Sequence, residues 1–225
     1  MIYQMRQKMV IFDINSLVFG LDITCKLIKN VLTSLDIQFS NKDILKARYG
    51  NVSSVSENYI RKNGVDLIAT DMVVEKSISV INNGLCKHIE LRDIIDKPTI
   101  KSTMDILKHE GCKIGVSSGF DSIVTDKLIN ELRFRRYIDS WVTVDKVKYG
   151  KPYPYMTYKL MEDCKITSTK NVIMIVTSDI DVKVARNAGC GLIFKDVDMN
   201  CFQQEMLTGT DIDFLDTKRL LTGGR

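Results

Sequence analysis

Histidine and proline are scarce in this sequence. His88 and His109 are the only two histidines among 225 residues, and there are only three prolines. A catalytic triad built on histidine and a histidine-rich metal site are therefore nearly excluded. Two of the prolines stand close together in the stretch "GKPYPY".

Metal-binding cysteine pairs and long apolar runs are also missing. The cysteines have no CxxC spacing among them, and they are Cys25, Cys86, Cys112, Cys164, Cys190 and Cys201. The N-terminal stretch has no apolar run long enough for an export signal, and no segment approaches the ~20 apolar residues of a membrane span. We therefore expect reduced thiols in a cytoplasmic protein that has no membrane partner.

An excess of charge of one sign is absent as well. The net charge is +4, and the charged residues, 27% of the chain, are interspersed rather than gathered in a basic arm. This pattern argues against nucleic acid as a partner. The hydrophobic fraction of 44% is ordinary for a globular protein that can bury a full core.

The spacing of apolar residues divides the chain into two kinds of region. From about residue 21 to 95 they recur at helical spacing, as in "DITCKLIKNVLTSL", and no convincing strand is found. After Pro98, short apolar runs such as "KIGV" and "VIMIV" alternate with helical stretches, one of which has Asp121 as its expected N-cap. This alternation predicts an α/β fold with a doubly wound parallel sheet. The apolar run "MVIFD" belongs to the same sheet, so a helical insert interrupts the core after its first strand.

Polar residues follow the predicted strands at the edge where such a sheet binds ligands. They are Asp13, Asn15, Ser117, Ser118, Lys151, Thr177, Ser178, Asp179 and Asp181. Asp13 alone has a simpler explanation, because Asp is a common turn or helix-capping residue after a strand. As a set, however, a carboxylate, hydroxyls near helix N-termini, a lysine and further carboxylates suit phosphoryl transfer.

Four motifs occur in a fixed order along the chain: "MVIFDINS", "IGVSSG", "GKPYPYMTYKLME" and "DVKVARNAG". On these motifs the sequence resembles the haloacid dehalogenase (HAD) superfamily and is most similar to its phosphonoacetaldehyde hydrolase, or phosphonatase, branch. The resemblance covers residues 9–16 and about 97–195. It implies a HAD-like, three-layer Rossmannoid α/β core with a parallel sheet, formed by residues 1–20 and 95–225. It also implies a helical C1-type cap, residues 21–94, inserted after the first strand.

The resemblance also implies roles for the residues at the sheet edge. Asp13 would be the nucleophile that forms an aspartyl-phosphate with a small phosphorylated metabolite. Ser117, together with the Ser118 N–H, would hold the phosphoryl group. Lys151 would pair with both the nucleophile and the phosphate.

Magnesium is implied in the same way, with one departure from the family pattern. Mg²⁺ would be held by Asp13, by the carbonyl oxygen of Asn15 and by an acidic residue after "VIMIV". Anchoring on "ARNAG" places Asp181 on the family's second acidic residue of this loop and Thr177 on its direct metal ligand. A hydroxyl is a poor replacement for a carboxylate on Mg²⁺, so Asp179 is a further candidate ligand.

Two other departures concern the chemistry. Phosphatases of the superfamily carry an Asp two residues after the nucleophile, whereas Asn15 cannot protonate a leaving group. The phosphonatase cap lysine that forms a Schiff base falls near Ser53 here, and Lys46 lies on the wrong side of that loop. We therefore expect a substrate with a good leaving group rather than phosphonoacetaldehyde. Arg48 and Tyr49 are the candidates for contacts with it from the cap.

Three functional hypotheses follow from these residues. The first is a magnesium-dependent, phosphohydrolase-like enzyme that uses Asp13 and Lys151. The second is a catalytically degenerate HAD-fold protein that acts as a binding or interaction module. The third is a metal-independent, dehalogenase-like hydrolase, which would account for both Asn15 and Thr177. Relatives in this branch pair through their caps, and "LIATDMVVEKSISVI" is apolar enough to allow a homodimer there.

Overall fold

A central β-sheet organises the protein. The computed structural model describes residues 7–49, 52–63, 67–195 and 205–209. The strands in this part of the chain are β1 (Met9–Asp13), β2 (Val18–Phe19), β3 (Ile95–Asp96), β4 (Lys113–Ser118), β5 (Ser140–Thr143), β6 (Val172–Val176), β7 (Leu192–Lys195) and β8 (Glu205–Gly209). Six of them form one sheet in the order β5-β4-β1-β6-β7-β8. The first five in this order are parallel, and β8 pairs antiparallel to β7.

Helices cover both faces of this sheet. The α-helices of the described residues are α1 (Ile23–Ser34), α2 (Asn41–Tyr49), α3 (Val52–Asn63), α4 (Leu67–Glu90), α5 (Ile100–His109), α6 (Ser122–Glu131), α7 (Tyr155–Asp163) and α8 (Asp179–Ala188). Helices α5 to α8 alternate with the parallel strands along the chain. This arrangement confirms the predicted α/β fold with a parallel sheet.

The central position of β1 in the sheet explains why its sequence is an apolar run. All five of its residues are buried, as expected for a strand covered on both faces. Val10 and Phe12 pack in one hydrophobic cluster with residues of α5 and α6. Met9 and Ile11 pack in a second cluster with residues of α7 and α8. Alternate side chains of β1 therefore pack against the helices on opposite faces of the sheet.

Two chain crossings connect the core to the segment that contains α1 to α4. Strand β2 leads out of the core and pairs antiparallel with β3, which leads back. The Lys97 N–H donates to the Leu17 carbonyl at 2.9 Å on the core side of this pair. Gly20 has a φ of 89°, and a Cβ there would lie 2.2 Å from the Asp93 carbonyl oxygen. The outgoing and returning segments of the chain are therefore in close contact at this point. We call the segment between them, residues 21–94, the insert.

The insert packs directly on the core. Ile28 and Ile81 of the insert belong to the same hydrophobic cluster as Phe120 and Leu128 of the core. The Val52 N–H, at the start of α3, donates to the carbonyl of Gly119 at 3.3 Å. Since Gly119 follows β4 directly, the insert touches the loop that carries the predicted phosphate-binding serines.

Asp121 is the most connected residue of this contact. It occupies the N-cap position of α6, as predicted, but its side chain forms no capping bond there. Its carboxylate instead accepts hydrogen bonds from Ser53 Oγ, at 3.0 and 2.8 Å, and from Asn82 Nδ2, at 2.8 Å. Asp121 therefore links two helices of the insert to the core.

Several predictions concern side chains beyond the described part of the structure. Arg48 and Tyr49 belong to α2, but their side chains lie outside it, and so does Cys201. Substrate contacts by Arg48 and Tyr49 therefore stay predictions. None of the five described cysteines forms a disulfide. Within the described ranges, every helix is too short or too polar to cross a bilayer.

Candidate active site

Asp13 ends the central strand and has two structural roles. It is fully buried, and its Oδ1 accepts hydrogen bonds from Asn15 N at 2.9 Å and from Asn15 Nδ2 at 2.8 Å. It thereby caps the short 3₁₀ helix Ile14–Ser16. Its other carboxylate oxygen, Oδ2, contacts Lys151 Nζ. Asp13 is thus both the turn residue and the sheet-edge carboxylate that the sequence allowed.

Lys151 joins two buried carboxylates. It lies in the loop between β5 and α7, and its Nζ contacts Asp13 Oδ2 and lies 2.6 Å from Asp181 Oδ1. The side chains of all three residues are at most 1% exposed. Burial alone lowers the pKa of a lysine, but the charges of Asp13 and Asp181 outweigh it and raise the pKa of Lys151. Lys151 is therefore a permanent positive charge at neutral pH.

Two side chains of α8 and its N-cap hold this arrangement in place. Ser178 is the N-cap of α8, and its Oγ donates to Asp181 Oδ2 at 2.5 Å while accepting from the Asp181 N–H at 3.3 Å. Asn187 Nδ2 donates to the Pro152 carbonyl at 2.9 Å, which ties the loop of Lys151 to α8. Sequence reasoning assigned neither residue a role. The Ser-x-x-Asp spacing of a helix start was the available signal for Ser178.

Asp181 carries the clearest electrostatic perturbation among the site carboxylates. Burial first, and then the nearby charge of Asp13, raise the pKa of Asp181 to about 6. Lys151 and Ser178 act in the opposite direction, since both stabilise the carboxylate form. Asp181 therefore changes charge nearer to neutral pH than an ordinary aspartate does.

The two predicted phosphate-binding serines point to different places. Ser117 pairs with Asp13 in the sheet register, is 3% exposed, and has no hydroxyl partner among the described residues. The Ser118 hydroxyl instead lies 2.8 Å from Thr125 Oγ1 and accepts from the Phe120 N–H at 3.1 Å. Any phosphate contact by Ser118 would therefore come from its backbone N–H, as the resemblance implies.

The remaining loop residues do not add a carboxylate to the site. Thr177 stands where the resemblance places the direct metal ligand, and its Oγ1 lies 3.5 Å from Asp13 Oδ1, at the outer limit of a hydrogen bond. Asp179, the alternative ligand, is exposed at the first position of α8. The structure thus brings together Asp13, Asn15, Lys151 and Asp181, and leaves Asp179 outside.

The oxygen atoms available at the site decide whether Mg²⁺ can bind there. This ion prefers octahedral coordination by oxygens, usually including one or two carboxylates. Among the residues that the structure describes, no three His, Cys, Asp or Glu side chains cluster as a metal site. Both carboxylate oxygens of Asp13 already face hydrogen-bond donors, and those of Asp181 face Lys151 and Ser178. Asn15 Oδ1 is a buried oxygen without a hydrogen-bond partner among the described residues, but one neutral oxygen does not supply the octahedral oxygen set that this ion prefers. The residues present therefore do not fit Mg²⁺, which stays a prediction from the resemblance.

Comparison with known proteins gives the class to which this fold and site belong. The family profile described as haloacid dehalogenase-like hydrolase matches residues 10–195. The match includes the central strand, the insert and the loops that carry Lys151 and Asp181. The chain belongs to the haloacid dehalogenase-like hydrolase family.

Curated relatives indicate which branch of that family this chain resembles. Phosphonoacetaldehyde hydrolase from Parabacteroides distasonis is 33% identical over 92 residues, which cover 40% of this chain and 35% of the relative. The enzyme of the same name from Lysinibacillus sphaericus is 29% identical over 116 residues, covering 49% and 43% of the two chains. The matched segments therefore span less than half the length of these relatives. They support the phosphonatase-like branch that the motifs indicated.

Solved structures share the fold over most of the chain. CbbY from Rhodobacter sphaeroides, in complex with phosphate, has a TM-score of 0.70 at 12% identity and covers 90% of this chain and 92% of its own. A hydrolase from Pseudomonas syringae has a TM-score of 0.69 at 16% identity and covers 96% and 91%. At these identities the likeness concerns the fold.

Proposed function

We propose that this protein is a hydrolase of the haloacid dehalogenase-like family that uses Asp13 as nucleophile on a small phosphorylated metabolite. The observation that carries the proposal is the buried contact of Lys151 Nζ with Asp13 and Asp181. A carboxylate at the end of the central strand, oriented by a permanent cation, is the arrangement that covalent catalysis by Asp needs. Family membership and the phosphonatase-like relatives support the same reaction class.

The reaction would proceed by transfer of the phosphoryl group to Asp13. A carboxylate oxygen of Asp13 forms a bond to phosphorus, and the bond between phosphorus and the leaving group breaks with its electrons on the leaving group. Lys151, the Ser117 hydroxyl and the Ser118 N–H would balance the charge on the phosphoryl oxygens. Water then cleaves the aspartyl-phosphate and releases inorganic phosphate.

The leaving group must depart without help from position 15. Asn15 donates from Nδ2 to Asp13 and has no proton to supply as an acid. Loss of a general acid typically lowers the rate by ~10²–10⁴-fold unless the leaving group is intrinsically stable. We therefore favour an acyl phosphate or a similarly activated substrate.

Hydrolysis of phosphonoacetaldehyde through a Schiff base is disfavoured. Ser53, near the position of the phosphonatase lysine, carries no amine, and its hydroxyl donates to Asp121. We therefore do not propose that this chain hydrolyses phosphonoacetaldehyde through a Schiff base.

A metal-independent, dehalogenase-like hydrolase is the second candidate. In this reaction Asp13 would attack carbon and displace halide, so no phosphoryl charge would have to be neutralised. The position of Thr177 beside Asp13 favours this candidate, since a hydroxyl stands where a metal-ligating carboxylate would be. Halide release from a small 2-halo acid would identify it. A degenerate binding protein is the third candidate, and it predicts ligand binding without turnover.

A thermal-shift series tests the proposed site without knowledge of the substrate. Beryllofluoride mimics a phosphoryl group on aspartate, and a ligand that binds only the folded state raises the Tm. We expect beryllofluoride to raise the Tm of the wild-type protein by several degrees, because about 1 kcal/mol of added stability shifts the Tm of a chain of this size by about 2–4 °C. The Tm is measured with Mg²⁺, with beryllofluoride, with both and with neither. No rise in any condition, or an equal rise in Asp13→Asn, would contradict the phosphoaspartate site.

A further inference from the structure

Hydrogen-bond donors surround the carboxylate of Asp13. Oδ1 accepts from Asn15 N at 2.9 Å and from Asn15 Nδ2 at 2.8 Å, and Thr177 Oγ1 lies 3.5 Å from it. The orientation of the Asn15 amide is fixed by chemistry, since the reverse orientation would set two oxygens 2.8 Å apart. Oδ2 contacts Lys151 Nζ. A cation approaching Oδ1 would therefore meet two amide hydrogens, and one approaching Oδ2 would lie beside the ammonium of Lys151.

The second carboxylate of the site is occupied in the same way. Asp181 Oδ1 lies 2.6 Å from Lys151 Nζ, and Asp181 Oδ2 accepts from Ser178 Oγ at 2.5 Å. Both acceptors lie in a region that is at most 1% exposed. A divalent ion bound here would have to compete with the lysine ammonium and the serine hydroxyl for a buried carboxylate, and displacing the ammonium would leave a buried charge unpaired.

From these contacts we propose that the ammonium of Lys151 replaces the divalent cation in this site, and that Thr177 is the residue that decides this. The chain would then hold its anionic ligand with Lys151, the Ser117 hydroxyl and backbone N–H groups, without Mg²⁺. The identity of the ligand as a phosphoryl compound rests on the proposed function. The lack of metal affinity does not, because it follows from the donors around Asp13 and Asp181 together with the neutral hydroxyl of Thr177 beside Asp13.

Metal binding is measured directly with Mn²⁺ as the probe. Mn²⁺ takes the same oxygen ligands as Mg²⁺, and its free form is counted by electron paramagnetic resonance. We expect no saturable Mn²⁺ binding by the wild-type protein. Thr177→Asp adds a carboxylate beside Asp13 and should bind Mn²⁺ at least about tenfold more tightly, as ligand charge sets the affinity of such sites. Thr177→Asn, of the same shape but neutral, is the matched control and should behave like wild type.

A saturable Mn²⁺ site in the wild-type protein that Asp13→Asn removes would overturn the proposal. This comparison also decides the matter if Thr177→Asp fails to fold by circular dichroism. Titration calorimetry with inorganic phosphate, in EDTA and in Mg²⁺, supplies a second readout, and we expect the same affinity in both. Phosphate binding that requires Mg²⁺ would also overturn the proposal. No phosphate binding in either buffer would instead count against the proposed function, leaving the Mn²⁺ result to judge this inference.

Discussion

Lys151 is shared between two buried carboxylates. In such a group each charge depends on the other two, because removing one partner leaves a buried charge uncompensated. The chain supplies these partners from three separate segments: the end of β1, the loop before α7 and the first turn of α8. The site therefore forms only when these three segments of the core come together.

The pH dependence of stability should report the titration of Asp181. Its pKa is raised to about 6 in the folded protein from an ordinary value of 3.8, so the folded state binds this proton more tightly than the unfolded state. As the pH rises from about 4 to about 6, the contribution of Asp181 to the free energy of unfolding should fall. Urea unfolding across this range measures it, and Asp181→Asn should remove this part of the slope.

Asp179→Asn is the matched control for this experiment. Asp179 lies two residues earlier in the same helical turn and is exposed, so comparing the two variants shows whether a change in slope is specific to Asp181. Lys151 does not contribute in this window, because its raised pKa gives stability that is lost only above its ordinary value of 10.5. An Asp181→Asn profile with the wild-type slope would show that Asp181 is not the titrating group.

Sequence reasoning assigned the candidate site residues to the sheet edge, and the structure brings Asp13, Asn15, Lys151 and Asp181 together there, but not every side-chain contact was predicted. Asp13 and Ser117 were expected to meet because parallel strands end at one edge, and they are register partners. For Ser118 only the backbone N–H was assigned to the phosphoryl group, in keeping with the rule that consecutive strand side chains point to opposite faces. Its hydroxyl accordingly bonds Thr125. The shared use of Lys151 could not be predicted, since it depends on loop conformation rather than on residue type.

At the scale of elements, the joint between insert and core depends on Asp121. Its carboxylate accepts from Ser53 at the start of α3 and from Asn82 in α4, and it lies at the N-terminus of α6. Helix N-termini carry partial positive charge, so a carboxylate between two of them is stabilised. Gly119 and Asp121 lie just after Ser117 and Ser118, the predicted phosphate-binding serines at the end of β4, so the insert packs on the core next to the candidate site.

Loss of the Asp121 carboxylate should loosen the insert. Asp121→Ala leaves Ser53 and Asn82 without their acceptor, and we expect a loss of about 1–3 kcal/mol in the free energy of unfolding. Amide hydrogen exchange in α3 and α4 should accelerate more than exchange in β1. Lys127→Ala removes a more exposed link between α6 and α4, the 2.6 Å pair with Glu90, and should cost less stability than Asp121→Ala, because exposed ion pairs contribute little. Equal exchange in wild type and Asp121→Ala would contradict this role.

Strands β2, β3 and β8 were the parts of the sheet structure that the sequence did not predict. Helices α1, α3 and α4 of the insert follow from apolar spacing over three or more turns, which is a strong signal. Strands β2 and β3 have two residues each and pair across the whole insert. A two-residue strand has no periodicity to read, so its existence depends on a partner far along the chain.

For the whole molecule, the outer surface of α4 bears on the predicted homodimer. Met72 is 68% exposed and Val80 is 50% exposed, and the two lie eight residues apart, on one side of the helix. Pairing of two copies here would bury both. We expect sedimentation velocity to show a concentration-dependent dimer, and Met72→Glu to shift the protein toward monomer. A wild-type protein that stays monomeric at high concentration would exclude this interface.

The antiparallel pair of β2 and β3 has a consequence for how such chains diversify. Because the outgoing and returning segments lie side by side, about 5 Å apart, everything between them enters and leaves the core at a single point. The register of the central sheet and the position of Asp13 therefore do not depend on the length of the chain between the two crossings. The architecture separates two constraints on change: the sheet keeps its register, and a replaced segment must still pack on Phe120 and Leu128 and supply donors to Asp121.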